Sequence, residues 1–313
     1  MTAHALWCVA EGRAELQPAS EGTGHAYRAL FSGISRGTER LVAAGRVPPS
    51  EFSRMRAPFQ EGEFPFPVKY GYAMVAEGMD GPFAGRAVFS LHPHQDRFRL
   101  PEAAVLPLPD GVPPSRAVLA ANMETALNIL WDSGAGAGDR IAVVGAGVVG
   151  ALTGYLAARL PGAEVALIDP QPRGDLARML GCAHALPDAA DGDCDVVIHA
   201  SASAAGLALA LDLAGPEAAV VEASWHGAGE TPVALGGAFH SRRLRLISSQ
   251  VGALPPVRRP RWTFRRRLEK ALSLLSDPVL DALISGETAF ADLPAAYPGI
   301  LAAPQTLCHR IRY

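Results

Sequence analysis

A turn of the form Gly-X-Gly-X-X-Gly, residues 145–150, lies between a buried-strand run, Arg140–Val144, and a helical run that starts at Val148. Each glycine has a chemical reason to be there. Gly145 permits the tight turn, Gly147 lets a pyrophosphate approach the backbone, and Gly150 lets the helix pack closely on the strand. Val148 and Val149 open the helix, where unpaired N–H groups and the helix dipole favour negative phosphates. Asp169 ends the next strand run 19 residues after Gly150, near the spacing of about 20 expected for the acid that binds the adenine ribose. A carboxylate there accepts from the ribose hydroxyls and repels a 2′-phosphate, which favours NAD. Arg173, four residues on, is a partner for a 2′-phosphate, so NADP stays open.

These residues need a parallel sheet with helices on both faces, and the middle of the chain supplies the pattern. Strand runs at 140–144, 164–169, 195–199, 218–223 and 244–248 alternate with helical runs at 148–160, 174–180 and 203–213. Such alternation implies βαβ crossovers. Ser201, Ser224 and Ser248 follow strand ends or close them and are expected to line the cofactor, although each is equally a turn serine. The first third reads differently, with short apolar runs at 87–91 and 103–108 between Gly, Pro and Asp, an irregular Pro- and aromatic-rich loop at 47–69, and an amphipathic helix over 115–131. After the sheet come a helix over 265–275 and a short strand over 306–311, too little for a third domain and enough to complete the first.

Composition narrows the classes. The chain has 313 residues, 49% hydrophobic, which suggests about two cored domains and excludes global disorder. The net charge of -3 gives no overall drive toward nucleic acid or an anionic membrane. Residues 242–270 carry nine arginines and Lys270 against Glu269 alone, a local +9, which reads as a solvated helix face and loop compensated by acids elsewhere in the chain rather than a nucleic-acid surface. The four cysteines are scattered and form no CxxC, against both a disulfide framework and a thiolate zinc site. The uncharged stretch 141–158 only reaches the length of a membrane span, and its glycines fit a strand–turn–helix. No secretory signal opens the chain, so a cytoplasmic protein is expected.

The chain resembles the medium-chain dehydrogenase/reductase superfamily, the zinc-type alcohol-dehydrogenase-like proteins, along essentially its whole length. The resemblance is carried by residues 31–45 (FSGISRGTERLVAAG), 67–78 (PVKYGYAMVAEG), the segment 120–131 and the GAGVVG turn. It implies an α/β protein with a discontinuous GroES-like, β-rich catalytic domain (1–118 and 254–313) around a Rossmann doubly wound parallel sheet (119–253). Where the superfamily's zinc enzymes carry their catalytic ligands, this chain has Ser35, Tyr72, Ala73 and Ala121, which do not make a tetrahedral zinc site. The structural zinc lobe is reduced to a short loop. A zinc-free member is therefore expected, and GISRGTERL is similar to the bacteriochlorophyllide dehydrogenase branch.

Without zinc, hydrogen-bond donors must stabilise charge on the substrate. Tyr72 leads, because the resemblance puts it at a ligand position pointing into the cleft; plain filling of vacated space is the alternative. Ser35 and Arg36 lie in the other ligand segment, Arg36 as an anchor for an anionic substrate or as an ordinary ion pair. His92 or His94, in a His-Pro-His loop, would relay a proton, or be half of a metal site completed by Asp96 or Glu39, or be plain loop. Thr125 matches a nicotinamide contact. The expected activity is hydride transfer between NAD(P)(H) and a small or medium organic alcohol or carbonyl. A quinone or enone reductase and a non-catalytic nucleotide-binding regulator are the alternatives. The resemblance also implies a homodimer through the edge of the Rossmann sheet, near 218–252, with a small-molecule substrate and no nucleic-acid or membrane partner.

Overall fold

The computed structural model describes residues 2–313. They form two compact units, Met1–Ala121 with Leu272–Tyr313 as unit 1 and Asn122–Ala271 as unit 2. Residues 254–271 thus go with unit 2. Arg267 anchors this stretch there, its buried guanidinium donating to Glu124 at 3.0 Å and to Asn128 and the Val251 carbonyl.

Unit 1 contains β1 (His4–Ala10), β2 (Arg13–Pro18), β3 (His25–Ser35), α1 (Arg36–Ala43), β4 (Glu61–Gly62), β5 (Val68–Lys69), β6 (Met74–Gly78), β7 (Ala87–Ser90), β8 (Arg97–Leu100), β9 (Leu106–Pro107) and α2 (Pro114–Ala117). Its returning segment adds β16 (Ile284–Ala289), α8 (Leu293–Ala302) and β17 (Cys308–Arg312). Two sheets result: β2-β1-β5-β4, and a seven-stranded sheet ordered β16-β17-β3-β6-β7-β9 with β8 also paired to β3. The alternating side chains of β3, β6 and β8 send Tyr27, Ala29, Met74, Ala76, Phe98 and Leu100 into one core, where Tyr27 and Phe98 stack at 5.8 Å. The last strand brings Cys308 opposite Ser35 and Ile311 opposite Ser32.

Unit 2 holds most of α3 (Ala120–Ser133), then β10 (Arg140–Val144), α4 (Val148–Ala157), β11 (Glu164–Ile168), α5 (Gly174–Leu180), β12 (Ala183–Ala185), β13 (Cys194–His199), α6 (Ala204–Leu213), β14 (Ala214–Glu222), β15 (Arg245–Ser248) and most of α7 (Phe264–Ser273). The six strands are all parallel, in the order β12-β11-β10-β13-β14-β15. Numbered within the unit this is 3-2-1-4-5-6, the doubly wound order. Burial on both faces explains the apolar runs 141–144 of β10 and 196–198 of β13. Helix α4 is apolar all round because nine of its ten residues are buried. Each buried Leu or Val there contributes roughly 1.5–3 kcal/mol. Ser203 caps α6 by accepting from Gly206 N–H at 3.0 Å, and Gly181 ends α5 in the left-handed region.

Two local expectations change. The helix expected over 115–131 is divided into α2 and α3 by a turn at 118–119, and Arg116 of α2 is clamped to Asp281 (2.7 and 2.6 Å) and to the carbonyls of Leu275 and Ser276. The run 103–108 begins in a short 3-10 turn, Glu102–Ala104, and only Leu106–Pro107 forms a strand, paired to β7. The stretch 141–158 divides into β10, the glycine turn and α4, and among the described residues no helix is long and apolar enough to cross a membrane. The four cysteines are free and buried. Within the basic run, Arg242 donates to the carbonyls of Asp212 and Ala214, Arg243 pairs with Glu217, and Arg265 with Glu269.

Candidate dinucleotide site and a buried polar cluster

In unit 2 the glycine turn joins the carboxyl end of β10 to α4. Gly145 adopts φ +104°, and its N–H donates to the Ile168 carbonyl at 2.8 Å. A Cβ built on Gly145 would lie 2.6 Å from the Ser201 nitrogen, and one on Gly150 only 1.9 Å from the Gly145 carbonyl oxygen. These two glycines are therefore required by packing. Gly147 is different: a Cβ there meets nothing within 4 Å, and it starts α4 with no side-chain cap. The N–H groups of the first turn, at Val148, Val149 and Gly150, have no intrahelical acceptor. That open, bare backbone is where a phosphate fits.

Asp169 stands at the end of β11 with its carboxylate turned to the loop. Oδ2 accepts from Ala146 N–H at 2.7 Å and Oδ1 from Gln171 N–H at 2.8 Å. An ionised carboxylate offers about four acceptor sites, so capacity remains for ribose hydroxyls. Arg173 is half-buried at the start of α5, Thr125 half-buried on α3, and Ser248 exposed at the end of β15.

Ser201 and Ser224 belong to a cluster that the sequence reading did not assemble. His199 ends β13 and Glu222 ends β14, side by side in register. His199 Nδ1 is 2.6 Å from Glu222 Oε2, and its Nε2 is 2.7 Å from Ser201 Oγ. Ser224 N–H donates to Glu222 Oε1 at 2.7 Å. His226 stands with Nε2 3.4 Å from Glu222 Oε2 and Nδ1 3.0 Å from Thr231 Oγ1. Burial alone would raise the Glu222 pKa; hydrogen bonding and charge from His199, with the Ser224 bonds, outweigh it and hold the carboxyl below its ordinary range. A polar residue ending each of two neighbouring buried strands was the available sequence signal.

In unit 1 the structure links Tyr72, Ser35 and His94 through Glu39 and leaves His92 and Arg36 outside that network. Tyr72 is half-buried, and its hydroxyl bonds with Ser35 and Thr38; burial pushes its pKa up to about 12 despite those bonds. Ser35, at the junction of β3 and α1, also donates its N–H to Glu39 Oε1 at 2.8 Å. Glu39 Oε2 accepts from Tyr297 O–H at 2.8 Å and lies 3.1 Å from His94 Nε2. His94 Nδ1 is 2.8 Å from Ser32 Oγ, which is 2.9 Å from Tyr313 O–H. A continuous chain Tyr313–Ser32–His94–Glu39–Tyr297 thus crosses the interior. Burial and then the Glu39 charge raise the Tyr297 pKa well above its ordinary value, so Tyr297 is a donor. Ser32, Tyr297 and Tyr313 were missed because nothing local marks them.

His92 is a different kind of histidine. It is 4% exposed, its ring stacks on Phe98 at 4.2 Å and Phe59 at 5.6 Å, and its Nδ1 bonds the Pro93 carbonyl at 2.9 Å. Burial pushes its pKa down to about 3. A ring that stays neutral inside an aromatic stack does not relay protons near neutral pH, so only His94 of the pair keeps a polar network. His92, His94, Asp96 and Glu39 are not spaced to hold a metal together; among the described residues, the side chains of His199, Glu222 and His226 are close enough to do so. Arg36 Nε donates to the Leu301 carbonyl at 3.0 Å, a tie to α8 rather than an evident substrate anchor. Cys308, opposite Ser35, is buried and its thiol is pushed up to about 12, which leaves it protonated and a poor metal ligand.

No family model matches the sequence, and no curated protein does. Solved structures do match in fold. A Sinorhizobium meliloti 1021 protein assigned as a zinc-binding dehydrogenase and bound to NADP aligns over 100% of both chains, with a TM-score of 0.79 and 19% identity. L-idonate 5-dehydrogenase from Escherichia coli K-12 aligns over 100% of this chain and 99% of its own, with a TM-score of 0.78 and 14% identity. An alcohol dehydrogenase from Escherichia coli CFT073, complexed with NADH, aligns over 99% of both, with a TM-score of 0.77 and 13% identity. The chain has their fold, a GroES-like β-rich unit together with a Rossmann unit.

Proposed function

We propose that this protein is an NAD(H)-dependent oxidoreductase that reduces a small or medium organic carbonyl without catalytic zinc. One observation carries the reading. The glycine turn with its bare Gly147 and the Asp169 carboxylate converge at the carboxyl edge of a sheet with the doubly wound strand order. Gly145, Gly147, Val148, Val149 and Gly150 would hold the pyrophosphate and Asp169 the adenine ribose, with Ser201 and Ser224 at the same edge. The dehydrogenase names of the fold neighbours, two of them bound to NADP or NADH, agree with this.

When bound, the nicotinamide supplies the hydride. The protein's part is the proton and the developing negative charge on oxygen. Tyr72 O–H serves as donor. With its pKa at about 12 it is protonated at neutral pH, yet more acidic than an alcohol resembling water, at about 15.7, so transfer to an alkoxide runs downhill. Ser35 and Thr38 hold the hydroxyl in place and stabilise the phenolate that remains. The same values favour reduction over oxidation, since the phenolate needed as base is scarce at neutral pH. The hydroxyls of Ser35 and Tyr72, together with the methyls of Ala73 and Ala121, offer no thiolate, imidazole or carboxylate for zinc, which supports the zinc-free reading. An enone acceptor, whose enolate needs less Lewis-acid help, fits the same donor. β15, the outer strand of its sheet with Leu246 exposed, is the surface for pairing with a second copy.

The test is steady-state reduction of carbonyls and enones, and oxidation of alcohols, with NADH or NADPH on chelator-treated protein. Turnover is expected to survive chelation and to fall about 100-fold in kcat in Tyr72→Phe, with NADH affinity unchanged. Undiminished turnover in Tyr72→Phe removes that residue from the mechanism. Tight NADH binding with no turnover across the panel would instead indicate a nucleotide-binding regulator.

A further inference from the structure

We propose that His199, Glu222 and His226 bind one divalent transition cation of the zinc class in unit 2. The ligand atoms, one from each residue, all lie within 4.8 Å of one another. A cation at 2.0–2.2 Å from three such donors in tetrahedral geometry sets them about 3.4 Å apart. His226 Nε2 and Glu222 Oε2 are already 3.4 Å apart. The closer pair, His199 Nδ1 and Glu222 Oε2 at 2.6 Å, must open by under about 1 Å, with loss of the proton they share.

Three further features support a metal over a plain hydrogen-bonded cluster. His226 Nε2 is buried from solvent and has no hydrogen-bond partner, an orphan atom aimed at the carboxylate. Each histidine has its other ring nitrogen held by a hydroxyl, His199 Nε2 by Ser201 and His226 Nδ1 by Thr231. The remaining Glu222 oxygen is held by Ser224 N–H. Outer partners that fix ring orientation are what metal-binding histidines and carboxylates require. Two nitrogens and one oxygen suit zinc, with cobalt as its spectroscopic substitute, and leave a position for water or another oxygen ligand. The cation would tie the loop carrying His226 and Thr231 to the ends of β13 and β14. Ser201, which holds His199, also packs against Gly145, so the site shares the sheet edge with the glycine turn.

The full-length protein is stripped with a chelator and dialysed against zinc. Bound metal is then measured by elemental analysis, and cobalt absorption is followed in parallel. One zinc per chain is expected, with the intense visible bands of four-coordinate cobalt. Affinity should fall at least 100-fold in Glu222→Gln and in His226→Ala, and about tenfold in Thr231→Ala. If Glu222→Gln does not fold, the loop variant His226→Ala decides. Failure of the wild type to retain zinc, or undiminished zinc in His226→Ala, overturns the proposal. Turnover is not the readout. Zinc that persists in both ligand variants and is needed for turnover would count against zinc-free catalysis instead.

Discussion

His94 Nε2 lies 3.1 Å from Glu39 Oε2, with neither side chain measurably exposed, and the two come from segments 55 residues apart. The carboxylate also receives Tyr297 O–H and Ser35 N–H, so one acidic residue on α1 gathers α8, the end of β3 and the loop after β7. A polar group this deep is stable only when its hydrogen bonds are made.

Removing that carboxylate strands its donors. Glu39→Ala should cost about 1–3 kcal/mol, the range for leaving buried hydrogen-bonding groups without their partner. Urea unfolding should show a lower midpoint at an unchanged slope. A loss under about 1 kcal/mol would mean that water replaces the carboxylate and the cluster is not a structural tie.

His92 makes stability pH-dependent in a defined direction. Its folded pKa is about 3, against 6.5 for the free side chain, so between these values the unfolded chain binds more protons. Stability is therefore full above about pH 6.5 and declines as pH falls toward 3, by up to about 1.4 kcal/mol per pH unit. Comparing unfolding at pH 7 and pH 5 for the wild type and His92→Phe checks this, since the variant should lose that part of the slope. Parallel slopes in the two proteins would refute it.

Gly147 and Gly150 separate binding from folding. Gly147→Ala adds a methyl into open space, so the melting temperature should hold while NADH affinity drops by tenfold or more. Gly150→Ala drives a methyl into the Gly145 carbonyl and should cost about 1–3 kcal/mol as well. Unchanged NADH binding in Gly147→Ala, measured by fluorescence titration, would move the phosphates elsewhere.

In the proposed cofactor site, Asp169 is the residue that would set the preference for NADH. Asp169→Ala removes the acceptor for Ala146 and Gln171 N–H and the charge that repels a 2′-phosphate. NADH affinity should fall by about 10- to 100-fold, the loss of one or two hydrogen bonds to a charged group. The NADH-to-NADPH ratio should shrink with it. An unaltered ratio would show that Arg173 or another group makes the choice.

The strand–turn–helix at 140–157 was legible in sequence because it is local: apolar period, glycine spacing and a following acid all act within about thirty residues. The same is true of α5 and α6. What sequence did not disclose depends on register between distant strands. Tyr313 reaches Ser32 across 281 residues only because β17 pairs with β3, and His199 meets Glu222 only because β13 and β14 align. The two histidines of His92-Pro93-His94 look alike in sequence. Tertiary packing made one a neutral ring in an aromatic stack and gave the other to a buried carboxylate, because the surroundings that set a histidine's charge are supplied by residues far along the chain.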